Sequence, residues 1–165
     1  MIDLKQFIKT TIREFLNEQH SNRDNTLKQL YIENGFSNDD IINISEEGYF
    51  NNIEWLNDTT LIVYRSISIP KNKLNDFLKS TNNGIGQYWS FDKNIESIWG
   101  GNVDYEYPNE DIINVRCKGY LKLKDIDFDD LLYAYNDDFH NFCDEQEIRS
   151  KLSGDKIKVI DCQTY

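Results

Sequence analysis

Three features of this chain combine residue types and spacings that could do chemistry. The first is a glutamate pair, Glu145 and Glu147, separated by one residue in Asp144-Glu145-Gln146-Glu147-Ile148. In a strand, a period of two projects both carboxylates to the same side. Two like charges held together are unfavourable, and proteins keep them at a surface or around a cation or guanidinium. The second is Arg65, which stands in the middle of Thr60 to Ile69, where Leu61, Val63, Ile67 and Ile69 share its face. A guanidinium on an apolar face is costly unless it meets an anion, either a carboxylate of the protein or a phosphate or carboxylate of a ligand. The third is Ser90 among the rings of Gln87-Tyr88-Trp89-Ser90-Phe91. Such a strand-to-helix corner can stack a flat ring while the hydroxyl orients a neighbour, and it can equally be a packed corner.

The remaining reactive side chains argue for less. Cys117, Cys143 and Cys162 cannot all pair within one chain, lack C-x-x-C spacing and have only His20 and His140 as imidazole companions. The pattern disfavours a zinc site and predicts reduced thiols in a cytoplasmic protein. The aspartates of Asp125 to Asp138 lack a D-x-D-x-D-G loop with its closing glutamate, so they read as a solvated face rather than a calcium site.

The elements that must position these residues change character along the chain. Leu4, Phe7, Ile8, Ile12, Phe15 and Leu16 recur at helical spacing, which predicts an amphipathic helix from Leu4 to Asn17 whose apolar side joins the core or docks on a partner. A polar stretch, Glu18 to Thr26, precedes a second short helix from Leu27 that Gly35 closes, and Asn38 to Phe50 reads as a partly helical connection. From Thr60 the texture turns to short strands. Pro70 opens a helix with Leu74, Phe77 and Leu78 inward, and Asp92 caps another with Ile95, Ile98 and Trp99 on its apolar side. Ile112 to Cys117 and Gly119 to Leu123 read as strands, as do Asp144 to Leu152 and Lys156 to Asp161, the last two joined by a hairpin-like turn at Ser153-Gly154-Asp155.

Size and charge bound the whole. A chain of 165 residues, 39% hydrophobic and 13% aromatic, suits one domain that needs no metal or disulfide to hold its core. No repeat or proline- and glycine-rich linker divides it, and no apolar run approaches the ~20 residues of a membrane helix. The start shows no basic patch followed by an apolar region, so no secretory signal is expected. Twenty-nine acidic against 18 basic residues give a net charge of −11. That sign repels phosphate backbones, which disfavours nucleic acid and suits a basic protein partner.

Taken in chain order, Val63-Tyr64-Arg65-Ser66, Gly86-Gln87-Tyr88-Trp89-Ser90-Phe91-Asp92 and Glu145-Gln146-Glu147-Ile148 with the trailing Lys156-Ile157-Lys158-Val159 resemble the arginine-serine-glutamate class of mono-ADP-ribosyltransferases, the cholera-toxin-like group. The likeness covers residues 60 to 161 and leaves a helical part, residues 1 to 59, outside it. Where the family commonly reads serine-threonine-serine, this chain has Ser90-Phe91-Asp92 and keeps the first hydroxyl. The resemblance implies an α+β fold in which leading helices are followed by two packed, mainly antiparallel sheets forming an NAD cleft. It implies transfer of ADP-ribose from NAD, consumed as a substrate without a metal, to a protein side chain. Glu147 would grip a ribose hydroxyl and stabilise the oxocarbenium-like transition state. Ser90 would hold that carboxylate, and Arg65 with Ser66 would clamp the pyrophosphate. Glu145 would orient or deprotonate an acceptor guanidinium, because E-x-E looks like the arginine-modifying variant. Tyr88, Trp89, Phe91 and Trp99 would stack on nicotinamide or wall the pocket.

Abundant Asn, Ile, Lys and Tyr beside two prolines look like an AT-rich microbial or phage genome, where such an enzyme would be an effector acting on host or defence machinery. Two other readings stand beside this one. One is a non-catalytic acidic protein that occupies a basic or nucleic-acid-binding site as an inhibitor or counter-defence mimic. The other is a degenerate fold that binds NAD without chemistry.

Overall fold

The computed structural model describes residues 4–95, 111–151 and 157–165. Helix α1 runs unbroken from Leu4 to Glu33, through the polar stretch expected to separate two helices. It ends where Gly35 takes φ +109°, with the amides of Phe36 and Gly35 donating to the carbonyls of Tyr31 and Ile32, so glycine closes the helix as its position predicts. In its first half, Ile8, Ile12 and Phe15 do not pack as core, being 48%, 54% and 57% exposed. Leu27 and Tyr31, near the other end, are fully buried. Helix α2, Asn38–Glu46, starts at a capping box in which Ser37 and Asp40 satisfy each other's backbone amides, and it buries Ile41 and Ile44.

The strands are β1 (Glu54–Asn57), β2 (Thr60–Pro70), β3 (Tyr88–Ser90), β4 (Ile112–Lys122), β5 (Glu147–Arg149) and β6 (Lys158–Thr164). They form one six-stranded antiparallel sheet in the order β5-β3-β2-β4-β6, with β1 also paired to β2. The fold is therefore α+β, but among the described residues it has a single sheet where two were expected. β1 lies within the part expected to be helical. β4 is one strand across the expected gap at Lys118. β5 and β6 stand at opposite ends of the sheet order, so they are not the two arms of a hairpin; the turn expected at Ser153-Gly154-Asp155 lies outside the described residues, as do Ile98 and Trp99 of the helix expected after Asp92.

Between the strands run α3 (Leu74–Ser80), α4 (Phe128–Asp137) and α5 (Phe139–Asp144). In α3, Leu74 and Phe77 are half-buried, while Leu78 is exposed. Helices α1, α2, α4 and α5 cover the face of the sheet that carries Leu61, Val63, Trp89, Phe91, Leu121 and Ile148, and the core closes around Tyr31, Tyr49, Phe50, Phe128, Leu131 and Phe142. Tyr49 stacks on Phe142 and meets Phe91 edge-on. Its hydroxyl pairs with that of Tyr31 at 2.9 Å and donates to the backbone carbonyl of Glu147, so the helical layer is tied to the first residue of β5. Burial pushes both phenols well above the ordinary tyrosine range, which keeps them neutral donors.

One prediction about the cysteines is overturned. Cys117 on β4 and Cys162 on β6 are direct cross-strand partners and form a disulfide, leaving Cys143 as the free, buried thiol. The register of two strands 45 residues apart brings the sulfurs together, and an odd cysteine count does not prevent that. The expectation of reduced thiols, on which the cytoplasmic assignment rested, is thereby removed. Among the described residues no helix is long and apolar enough to cross a membrane.

Candidate functional site

Two of the residues singled out from the sequence meet across the sheet. Ser90 on β3 is the direct partner of Glu147 on β5 and, on its other side, of Tyr64 on β2. Directly opposed residues share a face, so Glu147, Ser90 and Tyr64 form a transverse row. Ser90 is fully buried; its hydroxyl donates to the Glu145 carbonyl at 2.5 Å and accepts the Asp92 amide at 2.9 Å. It thus fixes the backbone leading into β5 rather than bonding a carboxylate itself.

Glu145 is not in the strand. Helix α5 ends at Asp144, the Glu145 amide caps it by donating to Asn141, and the chain reverses through Gln146 at φ +45° before β5 begins at Glu147. A helix-to-strand turn, not strand alternation, brings the two glutamates into one neighbourhood. Glu145 is half-buried, and burial, followed by the charge of Glu147, holds its carboxyl above the ordinary glutamate range. A raised proton affinity suits a group that must accept a proton.

Arg149 completes this end of the site, and sequence reasoning passed over it. Its Nε donates to Glu147 Oε1 at 2.7 Å, its Nη1 lies 3.3 Å from Asp130, and its guanidinium sits 4.6 Å above the Tyr88 ring. The side chains of Arg149 and Glu147 are only 17% and 16% exposed, so the pair is shielded from bulk water and orients one carboxylate oxygen. Among the described residues, Glu147 Oε2 has no hydrogen-bond partner. The signal was available: Arg149 follows Glu147 at the strand period of two.

Arg65 lies elsewhere on the same strand system. Alternation along β2 sets it on the face of Leu61 and Val63, opposite to Tyr64 and its row. β2 and β3 share only the Tyr64–Ser90 pair, however, and the next step of the ladder, Ser66 with Tyr88, is not made. Arg65 occupies the place where that ladder stops, and its Nη1 donates to the Tyr88 carbonyl at 3.0 Å. Gly86, at φ +115°, lets the backbone lie against the guanidinium; a Cβ there would stand 2.8 Å from Arg65 Cζ. Among the described residues no carboxylate pairs with Arg65, and burial lowers its proton affinity. Tyr88 separates the two ends of the site, its carbonyl holding Arg65 and its ring holding Arg149.

The other expected ligand-binding residues divide. Tyr88 is 48% exposed. Trp89 and Phe91 are core residues, 3% and 0% exposed, so of the two readings of this corner they take the packed one and not the stacking one. Trp89 donates to the Gly86 carbonyl and lies over Gly119, where an added Cβ would come within 3.0 Å of its ring; Phe91 packs on Tyr49. The Ser66 hydroxyl bonds that of Tyr165 at 2.5 Å on the opposite face from Arg65. Trp99 lies outside the described residues. Among the described residues no cluster of three or more His, Cys, Asp or Glu side chains could hold a metal ion.

Comparison of the chain with protein-family models, with curated proteins and with solved structures returns no significant match.

Proposed function

We propose that the chain is a mono-ADP-ribosyltransferase that moves ADP-ribose from NAD to a protein side chain, with arginine the favoured acceptor. The observation that carries this reading is the cross-strand pair Ser90–Glu147 with Glu145 beside it. Cleavage breaks the bond between ribose C1′ and the nicotinamide nitrogen. The bonding electrons leave with nicotinamide, and positive charge builds on the sugar. Glu147, held by Arg149 through one oxygen, offers the other to the ribose. Glu145, whose carboxyl is poised to take up a proton, receives one from the acceptor as its nitrogen bonds C1′. Arg65 meets the pyrophosphate at the break in the β2–β3 ladder, which supplies the anion that its burial calls for. In this reading the dinucleotide reaches from Glu147 past the Tyr88 ring to Arg65, with no second sheet among the described residues to wall it, and the acidic surface recruits a basic target.

A second reading is favoured by one observation. The Arg149 bridge to both Glu147 and Asp130 ties β5 to α4, and this accounts for Glu147 as a structural residue of a non-catalytic acidic binding protein. Incubation with biotinylated NAD in a bacterial lysate, followed by mass spectrometry, separates the two. The transferase labels a target, Glu147→Ala labels none, and Glu145→Ala keeps NAD hydrolysis while losing the label. Absence of label with wild type, or capture of a partner with no change in its mass, favours the binding protein; equal labelling by wild type and both variants overturns the roles given to Glu145 and Glu147.

A further inference from the structure

Away from these residues, the last turns of α1 cross the end of β4 and leave a pocket of about 630 Å³, within the range that small-molecule ligands occupy. Its apolar wall comes from Leu30 on α1, Leu123 in the turn after β4, and Ile126 and Phe128 at the start of α4. Three lysines from separate positions line it as well: Lys122 at the end of β4, Lys124 in the following turn and Lys151 just after β5. All three are exposed, and none has a carboxylate partner among the described residues. No acidic residue is among the described residues that line the pocket. In a chain of net charge −11, three lysines lining one apolar hollow run against the overall charge.

We propose that this pocket binds a small organic anion, with its apolar part on Leu30, Leu123 and Phe128 and its carboxylate or phosphate held by Lys122, Lys124 and Lys151. Each half of the hollow selects one half of such a ligand. The apolar wall gains from displacing water, and the lysines neutralise a headgroup that the rest of the surface repels. Lysine stems can also simply shield apolar surface while their ammonium groups remain in water. In that case charge would confer no selectivity.

The test is an NMR titration of the isotopically labelled full chain with decanoate, decyl phosphate and uncharged decanol, each below its aggregation limit. Saturable shifts at Leu30, Leu123 and Phe128 are expected with the two anions, and the tighter of them identifies the headgroup. Decanol should bind about tenfold more weakly or worse. The combined Lys122→Gln, Lys124→Gln, Lys151→Gln variant should lose about tenfold in affinity for the anions, with signals of the sheet and of Tyr88 unmoved. Shifts that do not saturate or fall elsewhere, or equal binding by wild type and the triple variant, would overturn the proposal. The readout is independent of NAD, so it stands or falls apart from transferase activity.

Discussion

Glu145 and Glu147 have different surroundings despite their spacing of two. Glu147 is paired to Arg149, whereas Glu145 sits half-buried at a helix end with its carboxyl pushed above the ordinary range. That asymmetry has a measurable sign. A carboxyl whose proton affinity is higher in the folded than in the unfolded chain makes the folded state bind more protons, so stability falls as pH rises through and above the usual glutamate range. Glu145→Gln removes the titration. The variant should match wild type near pH 4 and gain on it progressively towards pH 7 in urea unfolding; an unchanged difference across that range would show that burial does not strain this group. Arg65 was conspicuous in the sequence because its apolar neighbours on β2 are local. What it touches was not, since the Tyr88 carbonyl and the backbone of Gly86 reach it through a ladder that stops after one pair. The helical turn that carries Glu145 was hidden for a related reason: Gln146 in the left-handed region announces itself by no glycine or asparagine.

At the scale of elements, periodicity identified α1 but not what its apolar stripe faces. The same spacing serves a helix buried at Leu27 and Tyr31 and one whose Ile8, Ile12 and Phe15 stand half in water. Replacing those three by serine should therefore change unfolding free energy only slightly, about 0.5 kcal/mol or less for each site, in contrast to about 2–5 kcal/mol for Leu27→Ala. A loss of several kcal/mol from the triple serine variant would mean that the stripe is packed in solution. β1 was missed because Glu54–Asn57 is short and its pattern half-exposed, so its pairing with β2 comes from tertiary contact rather than propensity. The glycine closure at Gly35 and the strand of Thr60–Pro70 were legible for the opposite reason, each being written in residues next to one another.

For the molecule as a whole, the sheet order brings together what the chain keeps far apart. Its register pairs Cys117 with Cys162 and Ser90 with Glu147, and neither pairing can be read from the spacing of those residues. The disulfide clamps the edge strand β6 to β4. Its reduction should lower stability by roughly 2–4 kcal/mol, seen as a fall in melting temperature on adding dithiothreitol that a Cys117→Ala, Cys162→Ala variant no longer shows. An identical melt with and without reductant would mean the bridge does not form. The proposal that matters most is that Glu147 and Ser90 on β5 and β3, together with Arg65, cleave NAD. Nicotinamide release from NAD by the purified chain, measured beside Glu147→Gln at matched folding, tests it most directly. The account predicts release by wild type and a loss of about 100-fold or more in the variant. No release by either protein, or the same rate from both, would contradict it.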